Sequence, residues 1–375
     1  MFVGITNTPR DYAWGSTTAI AELFGREPSG APEAELWLGA HPGSPARVVD
    51  PSTASGATTI PELLAGERLP FLLKILAAAS PLSLQAHPTM AQAGVGFDRE
   101  NALGIALDDP ARNYKDAFHK PELIFALSDT FDALCGFRPV AETRALLELL
   151  GPVAAPLLER LVDDASLAAV FEWLISRGDG VDELVAAIVS VAPEHSDELA
   201  FATVASLAEA YPGDPGILIS LLLNRVRLSR GEVLYLPAGN IHAYLDGLGV
   251  ELMAASDNVL RGGLTPKHVD VPELLSVLDF TPVPVPYLAP VELSAGVEAY
   301  RPDVPDFELL RVTGGAQVAL AADAIAICTR GSFALSGADD SARIALGEAV
   351  FIAGESTVTV TGDGELFVAT SNAAD

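Results

Sequence analysis

Gln85 and His87 stand two positions apart in Pro81-Leu82-Ser83-Leu84-Gln85-Ala86-His87-Pro88, a stretch in which apolar and polar residues alternate. On a strand, Leu82, Leu84 and Ala86 fall on one face and Ser83, Gln85 and His87 on the other. An amide oxygen and an imidazole nitrogen side by side are half of a metal site, although an ordinary strand with a polar solvent face has the same pattern. Two further stretches carry groups that titrate or ligate. Tyr114-Lys115-Asp116-Ala117-Phe118-His119-Lys120-Pro121-Glu122 leads into apolar Leu123 to Leu127, and alone it reads equally as a solvated charged turn. Gly231 to His242 reads as a strand, a tight turn built by Pro237 and Gly239, and a return strand that presents His242 to an interior.

If His242 and Gln85-x-His87 face one interior, three neutral ligands are in hand, and Glu122, at the head of its own strand, is the best placed carboxylate. Gln85, His87, Glu122 and His242 supply nitrogen and oxygen without thiolate, a set that suits Zn²⁺. With one anionic ligand the ion keeps most of its charge and serves as a Lewis acid. Downstream, Glu251 stands opposite Val250 and Leu252, and Asp257, Arg261 and Lys267 follow on a Gly-rich loop, where backbone can approach a ligand closely. All four lysines of the chain, Lys74, Lys115, Lys120 and Lys267, lie in these segments, and with so few residues chance would also explain it.

The elements that position these groups follow from the hydrophobic pattern. Residues 1–70 read as short strands and turns, with aromatic-glycine patches at Tyr12 to Ser16 and Glu35 to Pro42 that read as packing and turn chemistry. Pro70 to Leu76 is a short apolar run with one charge, a buried strand whose Lys74 must reach the surface or a polar cavity. Thr89 to Asn101 forms a short helix. From Val140 to Leu228 leucine, alanine and valine recur at helical spacing, which predicts about five helices and no catalytic cluster. Pro282, Pro284, Pro286 and Pro290 mark a linker, and residues 291–375 alternate short strands with Gly and Asp turns.

Composition narrows the function. The 375 residues are half hydrophobic with a formal charge of −28 at pH 7, which argues against nucleic acid or an anionic membrane surface as partner and leaves an anionic small substrate possible where cations gather. Two distant cysteines, Cys135 and Cys328, are too few for a disulfide scaffold or thiolate site and point to a reducing compartment. Met1 to Arg10 has no signal-peptide pattern, and the uncharged run Ile75 to Phe97 is interrupted by Pro81, Gln85, His87 and Pro88, so a cytoplasmic protein with no obligatory protein partner is expected.

Gly231 to His242 resembles the second motif of the cupin superfamily. Ser83 to Pro88, His119-Lys120-Pro121-Glu122, Pro237 to His242, and Ala255 to Arg261 with Thr265-Pro266-Lys267 together resemble the motifs of type I mannose-6-phosphate isomerases, over roughly residues 1–280. The Tyr12 to Gly15 and Glu35 to Pro42 patches are similar to that family's N-terminal signatures. The resemblance implies a mainly β fold with an α-helical insertion: a discontinuous cupin (jelly-roll) catalytic domain over 1–139 and 229–285, a helical domain over 140–228, and a C-terminal jelly-roll-like β domain over 286–375. It also implies one zinc on Gln85, His87, Glu122 and His242, an active-site arginine at Arg261, and interconversion of mannose 6-phosphate and fructose 6-phosphate. Where the family usually has Asn before His-Lys-Pro-Glu, this chain has Phe118, so any hydrogen bond of that Asn is lost.

Moving a carbonyl between C1 and C2 of an open-chain sugar phosphate passes a proton through an enediol, so charge develops on oxygen and a base is needed. Glu251, Asp257, His119 and Lys267 are the candidates for that base. Arg261, Lys120 and Lys74 with Ser83 are the candidates for the phosphate. Two other readings remain open on sequence: a cupin that binds a sugar phosphate without catalysis, and an iron oxygenase with His87, His242 and Glu122 as its triad.

Overall fold

The structure is a computed structural model that describes residues 1–372. It is mainly β with a helical insertion, as the sequence implies, and its strands form a nine-stranded and a ten-stranded antiparallel system.

One long strand, His242–Ala254, organises the nine-stranded system. Its first half pairs with Gln85–Ala86 and Thr130–Phe137. Its second half pairs with Phe71–Ala78 and Glu122–Ala126. The changeover follows a register shift between Tyr244 and Asp246 and falls at Gly247, whose φ is +131°. A Cβ there would lie 2.6 Å from the Phe131 ring, so glycine is required both by conformation and by space. The strand thereby turns a corner and closes two sheet faces around one interior.

Alternation then sorts every side chain by layer. Leu76, Ile124, Ala126, Phe131, Ala133, Leu234 and Tyr244 fill the interior. Residues one position away, Leu73, Ile75, Leu123, Phe125, Val250 and Leu252, point outward and pack on Ile325, Phe351 and Phe367 of the C-terminal strands. On the other outer face Leu134, Phe137, Ala243 and Leu245 pack on the helices. Both faces of these strands are buried, which is why their sequences read as continuous apolar runs interrupted by single polar residues.

The helices run Val140–Glu148, Ala155–Arg160, Leu167–Ile175, Val181–Val191, Leu199–Ala210 and Gly216–Ile219. Helical spacing does not extend to Leu228: Leu223–Ser229 is a strand paired with Thr130–Phe137, and its Arg225 and Arg227 both reach Asp132. Within 291–375, expected to alternate short strands with turns, two strands are long, Ala324–Ser336 and Thr357–Thr370. The N-terminal strand Phe2–Thr6 hydrogen-bonds to Ala349–Ile352 in this same sheet, and Phe2 packs in its core. No helix among the described residues is long and apolar enough to cross a membrane.

Candidate metal centre and cavity

Gln85 and His242 are direct cross-strand partners, and Glu122 enters the same interior from the facing layer, opposite Met253. Only Gln85–Ala86 of the opening octapeptide is strand; beyond it, Thr89 caps the helix Met90–Ala102 with a reciprocal Gln92 contact, which pins the chain just after His87. One donor atom from each of His87, Glu122 and His242 lies within 4.8 Å of the others.

The ring nitrogens are assigned by their outer partners. His87 Nδ1 is 2.7 Å from the Asn258 carbonyl and His242 Nδ1 is 3.0 Å from the Asn240 carbonyl. A carbonyl only accepts, so both Nδ1 atoms carry a proton, and in a neutral ring Nε2 is then the atom that presents a lone pair. Those lone pairs face Glu122, at 3.2 Å from Oε1 for His87 and 3.4 Å from Oε2 for His242. Burial holds His87 neutral by pushing its pKa down to about 4. Burial alone would raise the Glu122 carboxyl; the cation that opposes it and holds the group below its usual range is the Lys120 ammonium. Neutral acceptors facing a carboxylate are not ion pairs. His87 Nε2 and Glu122 Oε2 are buried with no hydrogen-bond partner, a set of electron pairs that a cation would satisfy. The Gln85 amide reaches His242 Nε2 at 3.3 Å, and turning it over presents its oxygen instead. The residues present therefore fit a divalent metal.

Beside this centre lies a cavity of about 520 Å³ lined by Gln85 and Glu122 together with Ser83, Lys74, Lys120, Glu251, Asp257, Arg261 and Lys267. Lys74 is fully engaged: its ammonium lies 2.7 Å from Glu251 and 3.3 Å from Glu35, all three buried. Burial opposes its charge, yet Glu251 and Glu35 together raise its pKa. Glu251 is raised in turn, by burial first and by Glu122 and Glu35 against the pull of Lys74. Arg261, opposite Gln85 in the sheet, and Lys267 pair with no carboxylate among the described residues, and burial lowers the pKa of both. Lys120 Nζ lies 3.5 Å from Glu122.

His119 is not in this group. In the extended segment before Pro121, Lys120 shares a side with Glu122 and His119 takes the opposite one, where its Nε2 meets Asp306 at 2.7 Å. Phe118, in the place of the family's Asn, lies under the Arg68 guanidinium, 3.7 Å from its ring centroid. Its carbonyl is still held by the Asn258 amide at 2.8 Å, so the local path survives without the Asn side chain.

Several cavity residues escaped the sequence reading. Tyr12, Trp14, Glu35 and Trp37 come from patches read as packing, and Tyr211 comes from the helical insertion. Tyr244, whose hydroxyl is buried without a partner, stands two positions after His242 on the same strand face. That period of two was visible and was the one available signal.

Residues 2–140 match the family model described as phosphomannose isomerase type I, catalytic domain. The mannose-6-phosphate isomerase of Escherichia coli K12 is 39% identical over 384 aligned residues, covering 96% of this chain and 97% of that protein. The chain belongs to the mannose-6-phosphate isomerase family. The human member is 33% identical over 80% of this chain and 79% of its own length. A solved Salmonella typhimurium mannose 6-phosphate isomerase, bound to substrate and zinc, superposes with a TM-score of 0.90 at 34% identity, covering 99% of this chain and 100% of that one.

Proposed function

We propose that this chain is a zinc-dependent aldose-ketose isomerase that interconverts mannose 6-phosphate and fructose 6-phosphate, with one zinc held by Gln85, His87, Glu122 and His242. The observation that carries the reading is the pair of imidazole Nε2 atoms turned on a buried carboxylate at the wall of a cavity that also holds two cations with no carboxylate partner among the described residues. Zinc bound there would polarise a sugar oxygen and stabilise the charge that develops on it, an effect worth several kcal/mol.

Arg261 and Lys267, with the Ser83 hydroxyl, take the phosphate, because they are the cavity cations without a carboxylate of their own. Lys74 is assigned instead to Glu251, whose carboxyl it orients; burial raises that carboxyl toward neutral pH against the pull of Lys74, which makes it a group able to exchange a proton with a sugar oxygen. Asp257 is the opposite case. Partial desolvation of its half-exposed side chain works against its charge, but His41, Lys120 and Lys74 hold it ionised, so its carboxylate is the group to take a proton from carbon. Two carboxyl groups pushed apart in this way divide acid and base roles between them.

The test is turnover of mannose 6-phosphate in deuterated solvent. The expected product carries deuterium at C1 or C2, as proton transfer through an enediol requires. No turnover by zinc-loaded protein would leave the binding-protein alternative standing, and turnover without any exchange would contradict the base assigned to Asp257.

A further inference from the structure

Asp257 sits on the loop that follows the long strand, and its side chain is 48% exposed. A carboxylate so placed would swing among rotamers unless something fixed it. The backbone is fixed from below by Asp116, which accepts from the Asp257 N–H at 2.9 Å and from the Ser256 hydroxyl at 2.8 Å. The Asn258 amide completes the clamp by donating to the Asp116 carbonyl at 2.8 Å. None of these bonds touches the Asp257 carboxylate.

His41 does. Its Nε2 lies 3.1 Å from Asp257 Oδ1, and the imidazole itself is buried. The tautomer is set from behind, since the Gly43 N–H donates to His41 Nδ1 at 3.1 Å, leaving the ring proton on Nε2 and aimed at the carboxylate. Glycine suits that approach: a Cβ at position 43 would stand 3.2 Å from the same nitrogen. The ring plane is fixed by an edge-to-face contact with Trp37, 4.9 Å between centroids and 85° between planes. Trp37 is anchored in turn, its indole N–H donating to Glu35 at 2.9 Å and its strand lying beside Lys74.

We propose that His41 is a positioning residue for the isomerisation, fixing through Nε2–H the carboxylate of Asp257, which lines the cavity although His41 itself does not. The inference rests on the isomerase reading and on the role given there to Asp257. It assigns a task to the Glu35 to Pro42 patch, which joins the Lys74–Glu251 pair and the Asp257 loop through Trp37 and His41.

The experiment is steady-state kinetics with zinc content on wild type, His41→Phe, His41→Gln, Asp257→Asn and the His41→Phe/Asp257→Asn double variant. His41→Phe is expected to lower kcat roughly 10- to 100-fold, the range for loss of an orienting partner behind a functional group, with KM and zinc content little changed. His41→Gln, whose side-chain N–H can occupy the place of Nε2–H, is expected to recover most of that loss. The double variant is expected to be no slower than Asp257→Asn, because His41 acts only through that carboxylate. Wild-type kcat in His41→Phe, no recovery in His41→Gln, or losses that multiply in the double variant would each overturn the inference while leaving the isomerase reading intact. A wild-type protein without turnover would overturn the reading itself.

Discussion

Lys74 shows how one side chain changes meaning when its neighbours are placed. In sequence it is a cation in an apolar strand and a candidate for the phosphate. In the fold it lies in register with Trp37 on one side and Glu251 on the other, and its charge is spent between two buried carboxylates. Removing it would leave Glu35 and Glu251 facing each other without a cation in low dielectric. Lys74→Met is therefore expected to cost roughly 3–5 kcal/mol of stability in urea unfolding. Adding Glu251→Gln should recover part of that loss, whereas independent, additive losses would count against the compensated triad. The same contrast explains what could be read in advance. The convergence of His87, Glu122 and His242 was legible in part from turn chemistry and alternation, while the engagement of Lys74 and the turning away of His119 depend on partners 39 to 187 positions distant.

At the scale of elements, alternation with period two placed Glu251 opposite Val250 and Leu252, and Gln85 opposite Leu84 and Ala86, but Leu82, read on that same apolar face, lines the cavity. It was overlooked at Leu223–Ser229, read as part of the helical stretch although Val226 and Leu228 alternate with Arg225, Arg227 and Ser229. What secures that strand is polar: Asp132 accepts from Arg225 at 2.9 Å and from Arg227 at 2.8 and 2.9 Å. Burial alone would raise the Asp132 carboxyl, but the two guanidinium groups outweigh it and hold its pKa below the ordinary value. A depressed folded-state pKa contributes stability that is fully present above the unfolded value, about 4, and is lost as pH falls through the folded one. Asp132→Asn is therefore expected to lose about 1–2 kcal/mol at pH 7. The gap from wild type should narrow steadily below about pH 4, as unfolding midpoints across pH 3–7 would show. A gap independent of pH would mean that the carboxylate's charge has no part in holding the strand.

At the scale of the molecule, three layers of structure serve one cavity. The C-terminal strands, which carry no His or Lys, cover one outer face of the nine-stranded system and accept the N-terminal strand into their own sheet. The helices cover the other face and send Tyr211 to the cavity, its hydroxyl donating to the Pro81 carbonyl at 2.7 Å. Neither relation was legible, because nothing in a strand of five residues says which distant edge it will join. The metal centre between these layers is the central claim, and it is tested most directly by measuring zinc content and mannose 6-phosphate turnover on one preparation. One zinc per chain is expected, with turnover lost on chelation and restored in proportion to zinc added back. Full turnover from metal-free protein, or a zinc-loaded protein that leaves the sugar phosphate unchanged, would contradict the account.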